Sequence, residues 1–211
     1  MGKGAKMIVL VDFGGQTAHL ISRRIKELGV KVLTVYPDEA LEKVQKEKPQ
    51  GIIFSGGPAS VYDEDSPTIS KDIFNLKIPV LGICYGEQLL CQLLDGQVKP
   101  GFKKEFGPAE LLIKESKGLL KDVPSGITVW MSHGDEVVKV PTGFETLAKT
   151  KTIPHAVIED NKKKIYGIQF HPEVVHTEIG EKVLENFLKT CKLQVKKQQI
   201  DKGFVEDLIL D

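Results

Sequence analysis

The sequence predicts an α/β fold: an open, mostly parallel central sheet flanked by helices, with additional antiparallel strands. Three observations carry this. Short, wholly apolar runs (Met7 to Val11, Gly51 to Phe54, Ile78 to Ile83) lack the alternation of a half-exposed strand and suit strands buried on both faces. Stretches of helical periodicity separate the first of them, a strand, helix, strand rhythm that implies right-handed crossovers. Beyond about residue 97 the texture changes to shorter alternating segments joined by turns.

Taken in order, Met7 to Val11 closes on Asp12, Gly14 and Gly15. Ala18, Leu20, Ile21, Ile25 and Leu28 then recur at helical spacing until Gly29, and Val30 to Tyr36 returns as a strand. Leu41 to Gln45 reads as a short helix, Gly51 to Phe54 as the third strand and Ile78 to Ile83 as the fourth, with Glu87 to Leu94 helical after it. Glu110 to Ile113, Ile127 to Trp130, Glu136 to Val140 and Ile165 to Phe170 read as further strands. Glu178 to Cys191 reads as a last helix with Ile179, Val183, Leu184, Phe187 and Leu188 on one face. The expected organisation is an N-terminal extension (1–6), one domain (7–191) and a tail (192–211) that is a linker or the start of a following domain absent here.

The 211 residues suit one medium domain, and 29 Lys plus Arg against 29 Asp plus Glu leave no global field to attract nucleic acid. No apolar run approaches the roughly 20 residues that span a bilayer, and the polar start is unlike a signal peptide, so a soluble, cytoplasmic chain is expected. Cys84, Cys91 and Cys191 are too few and too irregularly spaced for a disulfide framework or a paired-cysteine metal site.

One of them stands in a chemical context. The fourth strand runs into Gly82-Ile83-Cys84-Tyr85-Gly86 and then a helix, the G-x-nucleophile-x-G arrangement in which a sharp turn presents a strained nucleophile. At a helix N-terminus, free N–H groups and the helix dipole favour thiolate over thiol. Cys84 could equally be an apolar filler at the end of a core strand; Cys91 and Cys191, without such context, are assigned to packing. A second apolar strand ends in His171-Pro172-Glu173, where residues i and i+2 point the same way. That places a carboxylate beside an imidazole, which suits a base oriented by an acid. His171, Glu173 and His176 with Cys84 could alternatively ligate a metal, but their spacing lacks the paired pattern of zinc sites. Ser55-Gly56-Gly57-Pro58, at the carboxyl end of the third strand, could bring Gly57 N–H beside Tyr85 N–H as an oxyanion hole, or be a simple turn. Ser132-His133-Gly134-Asp135, read as a loop, could hold an ammonium through Asp135 or be a solvated turn.

In this order, Gly-Ile-Cys-Tyr-Gly with Gln88, Ser-Gly-Gly-Pro-Ala-Ser-Val, Met-Ser-His-Gly-Asp-Glu-Val and Gln-Phe-His-Pro-Glu-Val resemble the class I (triad) glutamine amidotransferases, a flavodoxin-like fold. Within that class the chain is most similar to the glutaminase part of the GMP synthetases. The shared features are the opening Val-Asp-Phe-Gly-Gly-Gln, Ser-Val-Tyr at 60–62, Lys104-Glu105-Phe106-Gly107 and His176-Thr177-Glu178. The resemblance implies Cys84 as nucleophile, His171 as general acid and base, Glu173 as its orienter, and Gly57 and Tyr85 as oxyanion donors. Gln88, Ser132, His133 and Asp135 would frame glutamine. It implies hydrolysis of glutamine through a cysteine thioester, without metal or cofactor in this domain. The ammonia would pass to an ATP pyrophosphatase domain or subunit, using ATP and Mg, that converts XMP to GMP. Neither nucleic acid nor membrane is an expected partner. Alternatives are an amidotransferase serving another synthetase, such as anthranilate synthase, and a non-catalytic module that senses glutamine or docks a synthetase. One residue departs from the family pattern: Glu87 stands where a Met is usual, an acid near a nucleophilic sulfur that is harmless if it faces solvent.

Overall fold

In the computed structural model, which describes residues 6–196, strands β1 (Met7–Val11), β2 (Lys31–Val35), β3 (Gly51–Phe54), β4 (Val80–Ile83) and β9 (Ile165–Ile168) pair in parallel in the order β2-β1-β3-β4-β9. This is the flavodoxin-like order, with its switch point between β1 and β3. From β9 the sheet continues antiparallel through β8 (Val157–Asp160), β7 (Glu145–Lys149), β5 (Gln97–Ile113) and β6 (Ile127–Lys139), nine strands among the described residues. The expected α/β class and its two textures are both present.

The apolar runs are buried because helices lie on both faces. β3 and β4 are buried at every position. On one face Ile8, Leu10 and Ile53 pack with Ile21 and Ile25 of α1 (Ala18–Glu27) and Phe187 and Leu188 of α4 (Gly180–Thr190). On the other, Val9, Val11, Ile52 and Phe54 meet Val44 of α2 (Ala40–Glu47) and Leu89 and Leu90 of α3 (Tyr85–Leu93). Period-two projection thus feeds two separate cores from each strand. Gly51 lets the end of α4 pack close on the sheet: a Cβ there would fall on Cys191 Sγ and 2.8 Å from Ile8 Cδ1.

Two expectations are corrected. Ile127–Trp130 and Glu136–Val140 are not separate strands around a loop; residues 127–139 form one strand, β6. Its buried positions alternate from Val129 to Val137, so Ser132 to Asp135 obey strand periodicity despite their polarity. Likewise β5 extends over 97–113, far beyond Glu110 to Ile113, because it is the partner that β6 requires. The register shifts between Pro100 and Glu105, a β-bulge or irregularity. The residues after α4 fold back on the domain: Leu193 is buried and Lys196 N–H donates to Leu28 O at 3.1 Å. The rest of the expected tail, 197–211, and residues 1–5 of the expected extension lie outside the described residues.

Helix α4 is held by a polar clamp as well as by packing, since the Asn186 amide donates to Leu119 O and Lys121 O, both at 2.9 Å. Asn186→Ala would leave two carbonyls under-satisfied against a buried gap. It is expected to lower unfolding free energy by about 1–3 kcal/mol in urea denaturation, without altering the slope of the transition.

Candidate active site

The site lies at the carboxyl edge of β3, β4 and β9, where open α/β sheets place their ligands. β4 delivers Cys84 into a turn that no ordinary residue favours: φ is 53° and ψ −108°. Cys84 N–H donates to Ile168 O at 2.8 Å, tying the turn to β9, and α3 begins at the next residue. The flanking glycines are required by space. A Cβ on Gly82 would stand 2.5 Å from Gly86 O, and one on Gly86 would stand 2.5 Å from Phe54 O. The strain is thus enforced by packing of turn, helix and neighbouring strand.

The imidazole stands three residues beyond the end of β9. His171 N–H donates to Trp130 O at 3.0 Å and its carbonyl accepts from Thr177 Oγ1 at 2.6 Å, so the backbone is fixed from both sides. Its Nδ1 lies 2.7 Å from Glu173 Oε1, which sets Nδ1–H as the donor and leaves Nε2 to face the sulfur. Arg24 of α1 holds the Glu173 carbonyl at 3.1 Å. Burial lowers the affinity of His171 for a proton, but the Cys84 sulfur and the Glu173 carboxylate outweigh it and raise its pKa to about 10. Gly56 completes the junction: a Cβ there would lie 3.2 Å from His171 Cε1 and 3.8 Å from Cys84 Cβ.

The loop after β3 packs on the first turn of α3. Ser55 Oγ accepts from Phe13 N–H at 3.0 Å, and a Gly57 Cβ would lie 3.3 Å from the Tyr85 ring, so Gly57 packs against Tyr85. Tyr85 also anchors the loop's far end through its hydroxyl, which donates to Pro67 O at 2.5 Å. Opposite stands β6. Cys84 Sγ is 3.6 Å from Ser132 O, the placement of a thiol donor. Gln88 Nε2 donates to Asp135 O at 3.0 Å and to Gln169 Oε1 at 3.2 Å, and His133 Nδ1 donates to the same Asp135 carbonyl at 2.9 Å. Gln88 therefore braces β6 against α3, while the His133 bond is internal to β6. The Asp135 carboxylate accepts from Ser60 Oγ at 2.6 Å and Tyr62 Oη at 2.7 Å. Residues 60–62, Gln169 and Thr177 were visible in the sequence only as parts of motifs without a role of their own; Arg24 carried no signal.

Residues 9–191 match the family model of class-I glutamine amidotransferases. The chain belongs to this family. Among curated relatives it is 48% identical over 189 residues to the glutamine-hydrolyzing GMP synthase of Staphylococcus carnosus, which covers 90% of this chain and 37% of that protein. It is 46% identical over 206 residues to the glutamine-hydrolyzing GMP synthase of Staphylococcus aureus MSSA476, covering 98% of this chain and 40% of the relative. The chain thus spans well under half the length of these relatives. A solved structure of a GMP synthase subunit, from Thermoplasma acidophilum, superposes with a TM-score of 0.79 at 28% identity, over 99% of this chain and all of that one. A glutamine amidotransferase from Thermotoga maritima, at 19% identity and a TM-score of 0.66, shares the fold.

Within this amidotransferase the Glu87 departure has a sharper form than the sequence allowed. The side chain does not face solvent; it is fully buried, and neither carboxyl oxygen has a hydrogen-bond partner among the described residues. It lies against β9, where a Cβ on Gly167 would be 2.7 Å from Glu87 Cγ. Burial, and then the Cys84 sulfur, push its pKa well above the usual carboxylate range, which favours its neutral form over a charge that would oppose a thiolate. A carboxyl raised on folding contributes stability that is full below its ordinary value of 4.5 and is lost as pH rises toward the folded value. Glu87→Met removes that dependence. In denaturation at a series of pH values the variant is expected to gain on the parent as pH rises from acid to neutral, by at most about 1.4 kcal/mol per pH unit.

Proposed function

We propose that this chain is the glutaminase part of a GMP synthetase, hydrolysing glutamine at Cys84 and releasing ammonia for a synthetase that converts XMP to GMP. The observation that carries the reading is the convergence of a strained cysteine at a helix N-terminus with an imidazole paired to a buried carboxylate at 2.7 Å. The full names and lengths of the relatives support the synthetase, since about three fifths of each lies outside the match, where 40% or less is covered. In the proposal that remainder is an ATP pyrophosphatase domain or subunit, using ATP and Mg to activate XMP. Three buried free cysteines accord with a reducing, cytoplasmic setting.

The proposed chemistry follows from the donors. Cys84 sulfur, as thiolate, attacks the side-chain amide carbon of glutamine. The carbonyl becomes an oxyanion, which Gly57 N–H and Tyr85 N–H would hold. His171, already protonated at Nε2 by the thiol, passes that proton to the departing nitrogen, and the C–N bond breaks to free ammonia and leave a γ-glutamyl thioester. A water then gives a proton back to Nε2 as its oxygen attacks the thioester; the C–S bond breaks and glutamate leaves. Glu173 keeps Nδ1 protonated throughout and stabilises the imidazolium. Asp135 would receive the substrate ammonium, with Ser132, His133 and Gln88 forming that wall.

Glutamate and ammonia release from glutamine tests the reading, measured for the chain alone and with the ATP pyrophosphatase partner, ATP and XMP. Cys84→Ala is expected to abolish release and His171→Ala to lower it by roughly 10²–10⁴-fold. Release unaffected by Cys84→Ala, or silence under both conditions, would sink the proposal. Glu173→Gln is expected to lower turnover while leaving glutamine binding to a Cys84→Ala background unchanged.

A further inference from the structure

The loop that carries Gly57 does more than approach the nucleophile. Three residues on, Ser60 Oγ donates to one Asp135 carboxylate oxygen at 2.6 Å, and Tyr62 Oη donates to the other at 2.7 Å. Asp135 is only 9% exposed and its own carbonyl is taken by Gln88 and His133, so both ends of the residue are held. We infer that Ser60 and Tyr62 are positioning residues for glutamine recognition: their hydroxyls fix the Asp135 carboxylate for the substrate's α-ammonium and lock that contact to the loop bearing the oxyanion glycine. This rests on the reading of Asp135 as the ammonium partner.

The chemistry is specific. An ionised carboxylate offers about four acceptor positions, so two hydroxyl donors leave room for an ammonium. Charge-assisted O–H donors also stop the carboxylate from rotating, which removes an ordering cost from substrate binding. Tyr62 remains a donor over the working pH range, because burial and the Asp135 carboxylate hold its phenol above the ordinary value against the lowering effect of Ser60. Tyr62 is also the exposed side of the arrangement at 44%, so its ring stands at the mouth of the site rather than in a core. The loop's other end is pinned by Tyr85 Oη on Pro67 O, so the segment is strapped to α3 at one end and to β6 at the other.

The test compares glutamine with 4-carbamoylbutanoate, the same chain lacking the α-amino group, by calorimetric binding to the intact protein in a Cys84→Ala background. Ser60→Ala/Tyr62→Phe is expected to weaken glutamine about tenfold and 4-carbamoylbutanoate by less than about twofold, with the thermal midpoint little changed. Asp135→Asn is expected to erase the preference for glutamine altogether. Equal weakening of both ligands, or none, would overturn the inference and reduce the contacts to a loop latch. A Cys84→Ala protein that binds no glutamine, or an Asp135→Asn variant that keeps the full preference, would instead overturn the ammonium reading on which it stands.

Discussion

Cys84 occupies a backbone conformation that a side-chain-bearing residue avoids, and the arrangement around it is the means of holding it there. A φ of 53° with ψ at −108° is sparsely populated, and such strain persists only where neighbours leave no alternative. Gly82 and Gly86 let the turn, α3 and β3 come within contact distances that any Cβ would breach. The hydrogen bond from Cys84 N–H to Ile168 O fastens the turn to β9, the strand that brings the histidine. Nucleophile and base are therefore spaced by two adjacent parallel strands, β4 and β9, whose register pairs Gly82 with Gly167 and Ile83 with Ile168.

The same geometry governs the electrostatics. The histidine that faces the sulfur is buried, which would ordinarily discharge it, yet its two anionic neighbours keep it protonated. A negative charge close to the sulfur would oppose a nucleophile there. Burial disfavours such a charge on Glu87: one turn along α3, with no partner for either oxygen among the described residues, its neutral form is favoured over its charged one. The acid is thereby compatible with the nucleophile, at a cost in stability that grows with pH.

Much of this was legible in the residues. Wholly apolar runs such as Met7–Val11 and Gly51–Phe54 announce strands buried on both faces, and the glycines around Cys84 announce a turn without room. The pairing of His171 with Glu173 was expected from an extended segment; the contact is present, but β9 ends at Ile168 and Pro172 and Glu173 lie in a turn, so the turn, not strand geometry, brings carboxylate to imidazole. Only pieces of β5 and β6 were legible, not their length and continuity. Polar residues at 132–135 read locally as a turn, and only pairing along 97–113 makes them part of a strand. Glu87 was misjudged for a related reason: a polar residue in a predicted helix is expected on its wet face, but α3 is buried from Tyr85 to Cys91 and offers none. The tie from Ser60 and Tyr62 to Asp135 spans more than 70 residues and depends on tertiary placement that no local pattern encodes.

The most direct test of the account is covalent labelling by a glutamine analogue carrying a diazoketone in place of the side-chain amide, followed by peptide mapping of all three cysteines. The account predicts one stoichiometric adduct on Cys84, slowed by glutamine and by His171→Ala, with Cys91 and Cys191 unmodified. Labelling of Cys91 or Cys191 in preference, or at Cys84 without protection by glutamine, would contradict the claim that the strained turn and its paired imidazole form a glutamine-specific nucleophile.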